Sequence, residues 1–212
     1  MLTEQEKTAF KEGLGRFVPD GSVDPIFEFM DRYNVKLHIT NHRKTKLGDY
    51  RWPQPPNHNY HEISVNGDLH KYYFLLVLVH EMAHLMTHQH HGTNVQPHGR
   101  EWQEEYRQLL LEYRQFFPND MAVTLDKYTR RLPLNTVIGN ELERQAKAHD
   151  PRHVPTGTST LNELNPGDMF TSTVKPGIRF RALAKRRTRW LCLDIDTNMK
   201  YLVNGITEVT KI

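Results

Sequence analysis

Residues 69–89, LHKYYFLLVLVHEMAHLMTHQ, decide how the rest of the chain is read. Taken alone, the apolar run Tyr72–Val79 fits a buried strand as well as a helix, but its length and the HEMAHLM that follows favour one continuous helix. Within it His80-Glu81-Met82-Ala83-His84 spells HExxH. Positions i and i+4 share a helix face, roughly 6 Å apart along the axis, so two imidazoles can converge on one ion. Glu81 projects beside them, where a carboxylate can hold a water and take its proton. The apolar lead-in buries the helix and puts the ligands on a rigid element.

A catalytic zinc takes three protein ligands and keeps a position for water, so the third ligand decides the architecture. His88 continues the same face but lies about 12 Å along the axis from His80, too far for one ion. His90 falls where the metzincin pattern HExxHxxGxxH has its third histidine, although Thr87 stands in place of the glycine that turns that chain back. Glu101, Glu104 and Glu105 offer a carboxylate instead. His98 is the preferred candidate. It follows a glycine-containing loop and Pro97 and opens a second long helix, expected from Gly99 to Phe116, that packs antiparallel on the first. His88, His90 and His91 read as solvated residues at a helix end.

Outward from this core, the pattern predicts a capped helix over 3–16 with Thr3 and Glu6 as its capping box, and a helix beginning at Asp24-Pro25. Strands are expected at 35–40, 47–52 and 60–66, with PQPPNHN as an irregular loop. Residues 119–150 read as partly helical, broken at Pro133. From Gly167 onward four strand-like runs suit a small all-β unit, a barrel, with Phe170, Phe180, Leu191, Leu193, Tyr201 and Val203 as its core. The segment AHDPRHVPTGTST reads as a linker, which places one domain at 1–150, the linker at 151–165 and a basic β-rich domain at 166–212. The fold class expected is α+β.

Composition narrows the setting. The 212 residues carry 28 Lys+Arg and 25 Asp+Glu, a net charge of +3 too small to define a partner. The single cysteine, Cys192, rules out an internal disulfide framework and any zinc site using two cysteines of this chain. With no apolar stretch long enough to span a bilayer and a polar, acidic opening, the expectation is a cytoplasmic protein with no leader and no membrane partner. Thirteen histidines are the anomaly, six of them between His80 and His98.

HEMAHLM, with thirteen residues between His84 and His98, and then HGREW together resemble the SprT-like (Spartan-like) metallopeptidase domain, and NHRKTKLGDYRW followed by YHEISVN resembles that family's β-hairpin lead-in. The resemblance covers about residues 20–117. It implies a zincin-like core with a small antiparallel sheet, Zn²⁺ held by His80, His84 and His98, and Glu81 as general base. It also implies a protein substrate, since the family's eukaryotic members cleave proteins crosslinked to DNA in a DNA-dependent way. Many members carry a cysteine zinc ribbon after the protease core, and this chain has a basic β-rich tail in its place. The rival readings are a DNA- or protein-binding factor with a structural zinc, and a metzincin-like peptidase using His90.

Two basic clusters are candidates for contact with single-stranded DNA. Arg43, Lys44, Lys46 and Arg51 precede the site, and Arg186, Arg187 and Arg189 stand beside Trp190 with Lys185. Cations next to an aromatic can combine phosphate contact with base stacking. The competing reading is a solvated basic turn with Trp190 in a small core. Cys192, between two leucines in a strand with no base nearby, reads as packed and inert.

Overall fold

The computed structural model describes residues 3–43, 45–134, 136–151, 159–172 and 175–212. The chain divides into two compact units, Met1–Asn135 with Gln145–Asp150, and Thr136–Arg144 with Pro151–Ile212. Among the described residues no helix is long and apolar enough to cross a membrane.

The first unit opens with α1 (Glu4–Leu14), where the expected capping box forms: the Thr3 side chain accepts from the Glu6 amide and the Thr3 amide donates to the Glu6 carboxylate. Next come α2 (Val23–Arg32), β1 (Val35–Thr40), β2 (Gly48–Arg51) and β3 (His61–Asn66). The long helix α3 (Lys71–His91) buries every residue from Tyr73 to Val79, then Glu81, Met82, Ala83 and Leu85. It packs on β2, on β3 and on α4 (Arg100–Tyr113), whose buried stripe is Trp102, Tyr106, Leu109, Leu110 and Tyr113. A short 3₁₀ turn, Arg114–Phe116, and α5 (Asn119–Tyr128) follow, and the expected break at Pro133 separates α5 from α6 (Thr136–Ala148), whose residues Thr136–Arg144 are counted with the second unit.

The small sheet corrects one expectation. Its order is β1-β3-β2, with β3 antiparallel to β2 but parallel to β1, from Val35↔His61 to Thr40↔Asn66. The sheet is therefore mixed. Arg43 supplies the physical reason: its guanidinium donates to Asn66 Oδ1 (2.7 Å), Ser64 Oγ (3.0 Å) and the Leu47 carbonyl (3.3 Å). These bonds tie the β1–β2 connection to β3, so the chain passes over that strand and β2 comes to its far side, as an edge.

The second unit holds an all-antiparallel sheet of β4 (Ser159–Thr160), β5 (Met169–Ser172), β6 (Lys175–Lys185), β7 (Arg189–Asp194), β8 (Lys200–Asn204) and β9 (Glu208–Lys211). Its order is β4-β9-β5-β6-β7-β8, with β4 and β8 at the edges rather than joined as in a barrel. Within the stretch expected as linker, β4 pairs with β9 and Leu161 and Leu164 enter the core, while 152–158 lie outside the described residues. That core is Leu161, Leu164, Phe170, Phe180, Ala182, Trp190, Cys192 and Val209, with Tyr201 and Val203 packed against it. Leu191 and Leu193, expected inside, alternate onto the opposite face of β7 and are only half-buried.

Candidate metal centre

The site is built on α3 and the turn before α4. HExxH lies mid-helix, so His80 and His84 stack one turn apart with ring centroids 5.1 Å apart. His98 sits two residues before α4 with φ at 59°, a left-handed conformation uncommon for a residue with a Cβ. Gly99 permits the turn: a Cβ there would stand 2.9 Å from the Gln96 carbonyl oxygen. The result brings His98 Nε2 to 3.0 Å from His80 Nε2 and 3.1 Å from His84 Nε2.

These three nitrogens form a metal-binding geometry. A neutral imidazole has one ring N–H, so three Nε2 atoms facing one another cannot all be satisfied by hydrogen bonds among themselves. Two nitrogens bound at zinc distances around a tetrahedral ion would stand roughly 3.3 Å apart, close to the spacing seen. Among the described residues His80, His84 and His98 are the group of His, Cys, Asp and Glu side chains close enough together to hold an ion. Burial, reinforced by the neighbouring His84 and His98, pushes His80 down to about 3. Burial and His98 bring His84 to about 4, and burial also lowers His98. All three are therefore neutral at pH 7, the form in which imidazole binds metal.

Glu81 is buried, and Gly48 of the edge strand β2 lies against its carboxylate. Burial pushes its pKa up to about 7, and Asp49 pushes the same way while Arg43 and Lys46 oppose it. A carboxylate poised near neutrality beside a metal site is suited to exchanging protons with water.

Of the rival ligands, His90, Glu104 and Glu105 are occupied elsewhere. Thr87 bonds the Ala83 carbonyl and α3 runs on to His91, so the chain makes no metzincin-type turn. His90 Nδ1 instead meets Glu105 Oε1 at 2.8 Å, and His91 approaches the same oxygen at 3.6 Å. Glu104 is held by Arg107 and Gln108. His88 is not a solvated end residue: it is half-buried, stacked on Trp52 and packed against Tyr50 and His61.

Trp102, on the buried stripe of α4, also borders the histidine site. Its ring lies 4.6 Å from His80, 5.4 Å from His84 and 4.5 Å from His98, forming a wall common to all three. Its Nε1 is buried without a hydrogen-bond partner among the described residues. The signal was present, since HGREW puts Trp102 one helical turn after His98. Tyr106 stands 5.5 Å from the His80 ring. His61 is bound by Tyr50 and Gln89, and Tyr60 stacks on His58.

The proposed DNA contacts fare unevenly. Arg43 is a structural clamp, Lys46 and Arg51 both pair with Asp49, and Lys44 lies outside the described residues. Arg186, Arg187 and Arg189 are exposed around the β6–β7 turn, but Trp190 is 2% exposed and donates to Asn162 Oδ1 at 3.2 Å. It has no free face for a base, so the stacking role assigned to it does not hold. Cys192 is buried and free, with burial pushing its thiol up to about 11.

Residues 22–121, which contain β1 to β3, the whole of α3 and α4 and all three histidines, match the SprT-like family. Comparisons with curated proteins and with solved structures find no match.

Proposed function

Because residues 22–121 belong to the SprT-like family, we propose that the chain is a zinc-dependent metalloendopeptidase with a zincin-like core. The observation that carries the reading is the convergence of three imidazole nitrogens within 3.1 Å, two of them from the HExxH that also supplies the buried Glu81. A purely structural metal has no need of that carboxylate. His80, His84 and His98 would hold the zinc, which when bound supplies Lewis acidity that polarises a peptide carbonyl and acidifies water. Glu81 takes the proton from the attacking water as its oxygen adds to the carbonyl carbon. It then delivers that proton to the amide nitrogen as the C–N bond breaks. Edge strand β2, with Gly48 against Glu81, has one side with no neighbouring strand among the described residues, along which an extended substrate can lie.

The family resemblance extends the proposal to proteins bound or crosslinked to DNA in the cytoplasm, with Arg186, Arg187 and Arg189 as the cations left to meet a phosphate backbone. The test is zinc content by elemental analysis on wild type, His98→Ala and Glu81→Gln, each assayed for cleavage of casein and of a DNA-bound protein. One zinc in wild type, lost with His98 and retained in an inactive Glu81→Gln, is the expected result. Zinc without cleavage by wild type, with or without DNA, would make the metal structural and overturn the peptidase reading.

A further inference from the structure

Trp52 is the exposed tryptophan of the chain: it is 47% exposed, against 5% for Trp102 and 2% for Trp190. Its ring lies flat on His88, centroids 5.9 Å apart and planes 15° apart. His88 is in turn backed by His61, which is itself buried and fixed at both nitrogens, by Tyr50 Oη at 2.9 Å and by the Gln89 amide at 3.0 Å. A tryptophan loose on the surface has no such support. Here a rigid stack holds one indole face inward and leaves the other to solvent.

The position of this platform gives it a role. Gly48, Tyr50 and Trp52 alternate along β2 and its continuation, so all three point toward α3. Gly48 meets Glu81 and Trp52 meets His88, so strand and helix advance in the same direction. The separation is consistent by either route, roughly 10 Å for seven helical residues and roughly 13 Å for four strand residues. An extended peptide with its scissile bond at Glu81 therefore passes over Trp52 three to four residues away.

We propose that Trp52, stacked on His88, is a substrate subsite that takes an aromatic side chain of an extended peptide, three to four residues from the scissile bond. The inference rests on the peptidase reading for its register but not for the binding it predicts. A flat ring is the natural complement of a flat, supported indole. A nucleobase would share that chemistry, but Lys46 and Arg51, the described cations that precede Trp52 in this hairpin, both close on Asp49, at 2.8 and 3.1 Å. The free β2 edge, by contrast, supplies the backbone pairing that a peptide uses.

The full chain is tested with pairs of peptides that differ only by Phe or Ala, three or four residues to either side of the cleaved bond. Acrylamide quenching reads Trp52, the accessible indole, and is measured on Glu81→Gln to prevent turnover. A Phe peptide shields Trp52 and the Ala peptide does not. In wild type kcat/KM favours the Phe peptide about three- to tenfold, through KM. The ratio falls to near one in Trp52→Ala and is kept in Trp52→Phe. Shielding by the Phe peptide without any hydrolysis by wild type would remove the peptidase reading and leave the subsite standing. Hydrolysis with no preference and no shielding would remove the subsite and leave the peptidase. Shielding by single-stranded oligo-dT but by neither peptide would overturn the proposal in favour of a base-stacking site.

Discussion

Gly48 and Glu81 are in direct contact: a Cβ added to Gly48 would stand 2.8 Å from both Cγ and Cδ of Glu81 and closer still to one carboxylate oxygen. Any side chain at 48 must displace either the proposed base or the edge strand. Gly48→Ala is expected to cost about 1–3 kcal/mol through overpacking and to lower peptide cleavage about 10²-fold through misplacement of the carboxylate. Because the histidines are untouched, zinc content stays at the wild-type level. Elemental analysis beside a cleavage assay checks this, and full activity in the variant would show that Glu81 is free to move.

The third ligand is separable from its rival by two substitutions. His98→Ala removes the nitrogen that faces both His80 and His84. Its loss of zinc affinity should exceed the roughly 10–100-fold that follows when a ligand loses an outer hydrogen-bond partner. His90→Ala breaks an exposed pairing with Glu105 and should cost under about 1 kcal/mol with zinc retained. Competition against a chromophoric chelator measures both. The opposite ranking would reinstate a metzincin-type ligand set.

The parts of the molecule that were legible beforehand are those whose signal is local. HExxH and the capping box at Thr3 are spaced at three or four residues, and the helix period places them. The parallel pairing of β1 with β3, and the reach of Arg43 to Ser64 and Asn66, join residues more than twenty apart, and no local pattern announces that. Arg43 in sequence is one cation among four; its bonds in the fold make it a clamp. In β7 the run Trp190-Leu191-Cys192-Leu193 is apolar in both phases, so alternation could not choose a face, and burial went to Trp190 and Cys192. The Trp52–His88 stack joins a strand end to a helix end and was equally invisible.

The buried histidines set an acid limit on the metal-free protein. His80 and His84 titrate at about 3 and about 4 when folded, against an ordinary 6.5, and His98 and His61 shift the same way. As pH falls below 6.5 the unfolded chain takes up these protons before the native state does, so their contribution is complete above 6.5 and is lost toward 4. Glu81 acts with the opposite sign, since at about 7 it is raised above its ordinary 4.5 and its native form holds a proton that the unfolded chain has released between 4.5 and 7. Four lowered histidines outweigh one raised carboxyl. The melting temperature in excess chelator should therefore drop from pH 6.5 to 4.5, and more steeply in Glu81→Gln, which lacks the opposing group. A flat or rising melting temperature over that interval would contradict the burial assigned to these histidines.

Trp102 tests whether the wall of the metal centre is set by shape or by its polar atom. Its ring touches all three candidate ligands and is 5% exposed, so Trp102→Ala opens a cavity worth about 3–5 kcal/mol. Trp102→Phe leaves a smaller gap and also removes the buried Nε1–H that has no acceptor among the described residues, a group whose desolvation costs about 1–3 kcal/mol. The two effects of the phenylalanine oppose each other, and its net change should fall within about 1 kcal/mol of wild type. Urea unfolding of the metal-free proteins separates the cases. If phenylalanine proves as damaging as alanine, the indole N–H has a partner in solution, and the wall is held by a hydrogen bond rather than by ring packing alone.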